Sequence, residues 1–149
     1  MIKLGLVLTT YLLSSFLLFT ITSNTINGAI VYIFLLLPFY ATILLAWWIL
    51  ALQNRTKTAR INYRLWGIVL ALQIATMLAS PGNCFGVKQG DRCYSNLQIL
   101  VGDAPRNGPG DLTHWNLVED SFYGLAAAYG VAVLMGVVNT SKSMHEDKY

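Results

Sequence analysis

Two long runs of this chain carry no charge at all. LGLVLTTYLLSSFLLFTIT extends from Leu4 to Thr22 and AIVYIFLLLPFYATILLAWWILAL from Ala29 to Leu52. A helix that crosses about 30 Å of hydrocarbon needs about 20 apolar residues, and both runs reach that length. Two shorter runs follow, LWGIVLALQIATMLAS from Leu65 to Ser80 and SFYGLAAAYGVAVLMGVV from Ser121 to Val138. Tyr63 and Arg64 can extend the first of these, and a polar start lengthens the second. The alternation of a lipid-facing strand is missing, and an open sheet cannot satisfy its backbone in hydrocarbon. The pattern predicts an all-α membrane protein with four transmembrane helices in one domain, residues 1–149. The first run exceeds a signal-peptide core and is read as a retained helix. Only 11% of residues are charged, against about 25% in soluble domains. The net charge of +3 does not point to nucleic acid, because the cations are scattered between apolar runs instead of forming one patch.

Lysine and arginine counts in short flanks set orientation. Lys3, Arg55, Lys57, Arg60, Arg64, Lys142 and Lys148 fall on one side, and Lys88, Arg92 and Arg106 on the other. Seven against three places both termini and the Gln53–Arg64 connection on the cytoplasmic or stromal side. Trp47, Trp48, Tyr63 and Trp66 would flank that side, and Trp115, Phe122 and Tyr123 the opposite face.

Cys84 and Cys93, the only cysteines, then face the exoplasm. Such compartments are usually oxidising, so the pair is expected to form a disulfide that closes the turn-rich segment FGVKQGDR. A thiol-redox role would call for a C-x-x-C spacing and further cysteines, as in quinone-linked thiol oxidases. A zinc site would need four ligands, and His114 has no close second histidine. The cysteines belong to a loop of about 40 residues, Pro81–Asp120, long for a plain connector, and 81–116 reads as an exoplasmic cap. Its turn formers PGN, QGD and GDAPRNGPGD bracket SNLQILV, Ser95–Val101, which reads as a short strand or a helical turn.

At the start of the last span, Asn116 with Glu119 resembles a capping box, and Asp111 is a second candidate N-cap. Glu119 and Asp120 would then sit near the first turns, where the macrodipole favours anions. His114, Glu119 and Asp120 also form the candidate contact for an interfacial ligand or partner. No cofactor is named by the sequence.

The span cores hold no Asp, Glu, Lys, Arg or His. Ion-coupled transporters and haem-carrying bundles place such groups inside their spans. Gln73, Ser14, Ser15, Thr42 and Thr76 are read as hydrogen-bonding between helices. Pro38 is expected to kink the second span. Gly124, Ala128, Ala132 and Gly136 recur every four residues and suggest a stripe where a second backbone comes close, with Val131 and Val133 on other faces.

These readings predict a non-catalytic accessory, assembly or scaffold subunit. Its partners would be membrane lipid and either other membrane-protein subunits or copies of itself, with no nucleic acid. The alternatives are a small oligomeric transporter or channel, or a membrane enzyme of thiol redox or lipid chemistry.

Overall fold

The computed structural model describes residues 2–23, 25–54, 60–85 and 92–146, without the side chains of 142–146. Four main helices run antiparallel in sequence: α1 Ile2–Thr22, α2 Ile26–Gln53, α3 Tyr63–Ala79 and α5 Asn116–Glu146. Between α3 and α5 lies a cap of two short strands, β1 Pro81–Asn83 and β2 Tyr94–Ser95, followed by α4 Asn96–Val101. The β1–β2 pair is antiparallel.

Among the described residues, α1, α2 and α5 are long and apolar enough to cross a membrane. Large apolar side chains such as Val7, Leu17, Phe34 and Leu45 point outward, as they do when hydrocarbon is the solvent. Both features support an integral membrane location. The fourth expected span is not confirmed as one. α3 has 17 residues and is about 25 Å long, short of the hydrocarbon thickness. It stops because Ser80 turns extended, at φ −57° and ψ 144°, to feed β1.

The cap segment expected to be a short strand or a helical turn contains both. SNLQILV divides: Ser95 ends β2, and Asn96–Val101 forms α4. Ser95 caps α4 by accepting from the Gln98 amide, while the Gln98 side chain accepts from the Ser95 amide. The capping box therefore occurs here and not at Asn116–Glu119. Asn116 is already helical, its Oδ1 accepts from Arg92, and Asp111 lies in coil before α5.

Pro38 has an identifiable local consequence. Its ring would clash with the carbonyl four residues earlier in a regular helix. The turn ahead of it widens instead, and Tyr32–Leu36 form a π-helical segment in which the Leu37 amide reaches back to Tyr32 O. The expected irregularity is a π-turn.

The cap is tied to the helix ends by polar groups. A helix leaves its last carbonyls without partners. Asn96 Nδ2 donates to Thr22 O at the end of α1 and to Met77 O near the end of α3, both at 3.1 Å. Thr25 Oγ1 donates to Pro81 O at 3.1 Å, and Tyr32 Oη to Ser80 Oγ at 2.8 Å. Within the cap, Asn83 Nδ2 donates to Pro105 O and Gly108 O, and Tyr94 Oη donates to Gly110 O and Leu112 O. The described residues of the cap, 81–85 and 92–115, thus fold back on themselves at one end of the bundle. Cys84 and Cys93 are joined by a disulfide. A closed loop of this length contributes about 2–3 kcal/mol in the chain-entropy account.

Candidate functional site

Hydroxyl and amide groups from all four main helices meet in the middle of the bundle. Ser15 Oγ on α1 lies 2.8 Å from Tyr40 Oη on α2 and 3.0 Å from Tyr129 Oη on α5. The Tyr40 and Tyr129 hydroxyls also bond each other. Tyr11 Oη on α1 donates to Gln73 Oε1 on α3 at 2.8 Å and lies 3.4 Å from Tyr129 Oη. Ser15, Tyr40, Gln73 and Tyr129 are buried. Each hydroxyl can both donate and accept, so the cluster can satisfy itself without a charge.

Aromatic packing surrounds this cluster. The rings of Tyr11 and Trp66 meet edge to face at 5.4 Å, and those of Phe19 and Tyr129 at 5.5 Å. Trp48 Nε1 donates to Thr9 Oγ1 at 3.0 Å, binding α2 to α1. Trp47 and Phe122, expected as interfacial aromatics, are each 1% exposed and belong to the core. Tyr123 does lie outside, 64% exposed.

Ser15 and Gln73 bond other helices, while Thr42 and Thr76 turn back to carbonyls of their own helices. Ser14 is exposed next to buried Ser15. The three tyrosines escaped the sequence reading because hydropathy scores them as nearly neutral inside an apolar run. The available signal was Tyr11 and Ser15, four apart and hence on one helix face.

The small-residue series on α5 does not lie on one face. Four residues advance about 400°, so each step drifts about 40° and three steps drift about 120°. Gly124 and Ala128 are exposed, whereas Ala132 and Gly136 are buried. A methyl group at Gly136 would meet the Trp66 ring of α3 at 3.3 Å, while nothing among the described residues lies within 4 Å of that position on Gly124. α3 and α5 form the most extensive helix pairing, and Gly136 serves it. Val131 shares the outward face of Gly124 and Ala128, and Val133 is fully buried. Val131 is therefore not the off-face position that spacing suggested, whereas Val133 lies about half a turn from Gly124 and faces inward.

The remaining candidates gather where the cap meets α5. His114 Nδ1 is 2.9 Å from Glu119 Oε1, and the His114 ring stacks on Tyr94 at 4.1 Å. Arg92 Nη1 pairs with Asp120 Oδ1 at 2.9 Å and lies 3.3 Å from Asn116 Oδ1. Cys93 adjoins Arg92, so the disulfide sets where this guanidinium starts. Glu119 is in the first turn of α5, where the helix dipole favours an anion. Among the described residues, no group of three or more His, Cys, Asp or Glu side chains is spaced to hold a metal ion.

The chain matches no family model, and comparison with curated proteins and with solved structures likewise gives no significant match.

Proposed function

We propose that all four main helices cross the membrane and that the protein is a non-catalytic scaffold or accessory subunit, packing against a larger membrane complex or against copies of itself. The carrying observation is the division of labour on α5. Ala132 and Gly136 are spent inside the chain, while Gly124 and Ala128 present a small-residue surface outward. Lipid gives no hydrophobic reward for helix association, so close contact at small residues is what favours a partner. The interior hydroxyls and the Gln73 amide bond one another across helices, which suits a role in holding a shape. In this reading the cap faces the exoplasm, and both termini lie on the cytoplasmic or stromal side.

The assembly test compares leucine substitutions. Ala128→Leu is expected to abolish most of the complex seen by native mass spectrometry in mild detergent, with the protomer still folded. Ala132→Leu should instead lower the stability of the protomer by about 1–3 kcal/mol through overpacking. Ala46→Leu and Ala71→Leu, on exposed faces of α2 and α3, are the controls. A wild-type protein that is monomeric in every mild detergent, or an Ala128→Leu variant that behaves like the controls, would remove the basis for a subunit.

Orientation is tested separately, in a background with both cysteines changed to serine. Asn107→Cys should react with an impermeant maleimide in intact cells, and Thr58→Cys only after permeabilisation. Thr58, like Arg55 and Lys57, lies outside the described residues. The reverse labelling pattern would invert the topology.

A further inference from the structure

An apolar groove of about 240 Å³ opens at the end of the bundle where α1 and α3 begin. Leu4, Val7 and Tyr11 of α1 form one wall, and Tyr63, Trp66 and Leu70 of α3 the other. α1 packs on α2, and α3 packs on α5, so the groove runs between the two pairs. It follows α1 from Leu4 to Tyr11, about 10 Å at 1.5 Å per residue, or two-thirds of one leaflet of a hydrocarbon core about 30 Å thick. Val7, Tyr63 and Leu70 are exposed and leave it open to the outside. At its inner end the Tyr11 hydroxyl crosses to Gln73, and the Tyr11 ring meets Trp66 edge to face.

The groove presents no polar atom to this space. The Tyr11 hydroxyl is turned to Gln73, and Thr140, which also lines the groove, donates to Gly136 O. What fills the groove is therefore hydrocarbon. The charge at the same end is one-sided. Lys3 precedes Leu4 and stands one turn before Val7, and Arg64 follows Tyr63; both cations are exposed. Helical side chains lean toward the N-terminus of their own helix, so both extend past the mouth of the groove. Counted by sequence, and so including residues outside the described set, seven Lys and Arg lie in the start of α1, the connection into α3 and the C-terminal segment. They are offset only by Glu146 and Asp147, and His145 can only add positive charge. The described acidic side chains, Asp103, Asp111, Glu119 and Asp120, all belong to the cap or its junction with α5.

We propose that this groove seats one acyl chain of an anionic phospholipid, whose headgroup is held at the mouth by Lys3 and Arg64. Basic residues clustered at the end of a membrane helix attract anionic lipid. Tyr63, 82% exposed, stands at the mouth as aromatic side chains do at headgroup level. A zwitterionic lipid would fill the groove equally well, but its ammonium would meet the same cations. An acidic peptide would satisfy the cations and leave the apolar walls bare. A second apolar groove, of about 290 Å³ between α2 and α5, gives the contrast. No Lys or Arg lies among its lining residues or next to them in sequence, so it has hydrocarbon walls without headgroup selection. The assignment holds whichever side of the membrane this end faces, and with or without a protein partner.

The test uses the full chain reconstituted in vesicles of equimolar phosphatidylglycerol, phosphatidylcholine and phosphatidylethanolamine with the same acyl chains. Lipids retained after extraction into mild detergent are counted by native mass spectrometry. One phosphatidylglycerol should be retained roughly tenfold over either zwitterionic lipid, the scale of one or two cations acting on an anionic headgroup. Lys3→Gln combined with Arg64→Gln should bring the preference below about threefold, while Arg106→Gln, in the cap, should leave it intact. Val7→Trp, on the exposed rim, should abolish retention of that lipid, and Ala127→Trp, in the α2–α5 groove, should not. Equal retention of the three lipids by the wild-type protein, which needs no variant to fold, would overturn the proposal and leave only annular lipid. So would a preference that survives the double change in a folded protein, or one lost in Ala127→Trp and kept in Val7→Trp. A second copy or another subunit seated in the groove, seen as a complex that retains none of the three lipids, would overturn it as well.

Discussion

Tyr129→Ala is expected to lower the stability of the protein by about 3–5 kcal/mol, the range for removing a buried aromatic side chain. Tyr129 is 1% exposed and packs against Phe19. Its hydroxyl is the junction of the central cluster, since Ser15, Tyr11 and Tyr40 all bond or approach it. Alanine would open a cavity and withdraw a partner from three other hydroxyls at once. Tyr129→Phe keeps the ring and should cost less, about 1–2 kcal/mol. The reason is specific to the geometry: Ser15 still has Tyr40 at 2.8 Å, and Tyr11 still has Gln73 at 2.8 Å. Denaturation in mild detergent, followed by circular dichroism, separates the two. A Tyr129→Phe variant as unstable as Tyr129→Ala would mean that the hydroxyl dominates and that the surviving pairs do not hold. A Tyr129→Ala variant as stable as the parent would show that the four helices are joined elsewhere. A double-mutant cycle with Tyr40→Phe measures the coupling directly.

The sequence was most legible where chemistry alone decides. An uncharged run has few alternatives to a helix in lipid, and α1 and α2 lie within a few residues of the runs that announced them. Two cysteines nine apart in a turn-rich loop form the disulfide they suggested. Sidedness within the helices was not legible. When nearly every residue is apolar, the period of 3.6 has no contrast to show itself, so Ser14 and Ser15 looked alike although one faces out and the other bonds two helices. The small-residue series failed for a related reason: constant spacing of four is not constant direction on a helix. The start of α5 was legible to within a residue, but the capping box read at Asn116–Glu119 was not met, because Arg92 and His114, brought in by the cap, hold those side chains instead.

Gly82→Ala is the second substitution expected to have a large effect, about 3 kcal/mol, and its route is steric. A methyl group at position 82 would stand 2.5 Å from Asn96 Oδ1, 2.5 Å from Ile99 Cδ1 and 3.2 Å from Asn96 Cα. The Ile99 tip can swing, but the backbone of α4 cannot move without its capping box and the β1–β2 pair moving too. Asn96 is the residue that donates to Thr22 O and Met77 O. Displacing it would strip a partner from the ends of α1 and α3 together. Gly102→Ala gives the contrast. That glycine ends α4 at φ +89° with open space around it, so alanine there costs only the left-handed backbone penalty, about 1–2 kcal/mol. If Gly82 acts through Asn96, then Asn96→Ala and Gly82→Ala combined should cost less than their sum, since the second change removes contacts the first has already broken. Thermal denaturation of the four proteins decides it. Strict additivity would separate Gly82 from the Asn96 caps, and a Gly82→Ala variant no weaker than Gly102→Ala would mean that the cap yields to the extra methyl and does not lock the helix ends.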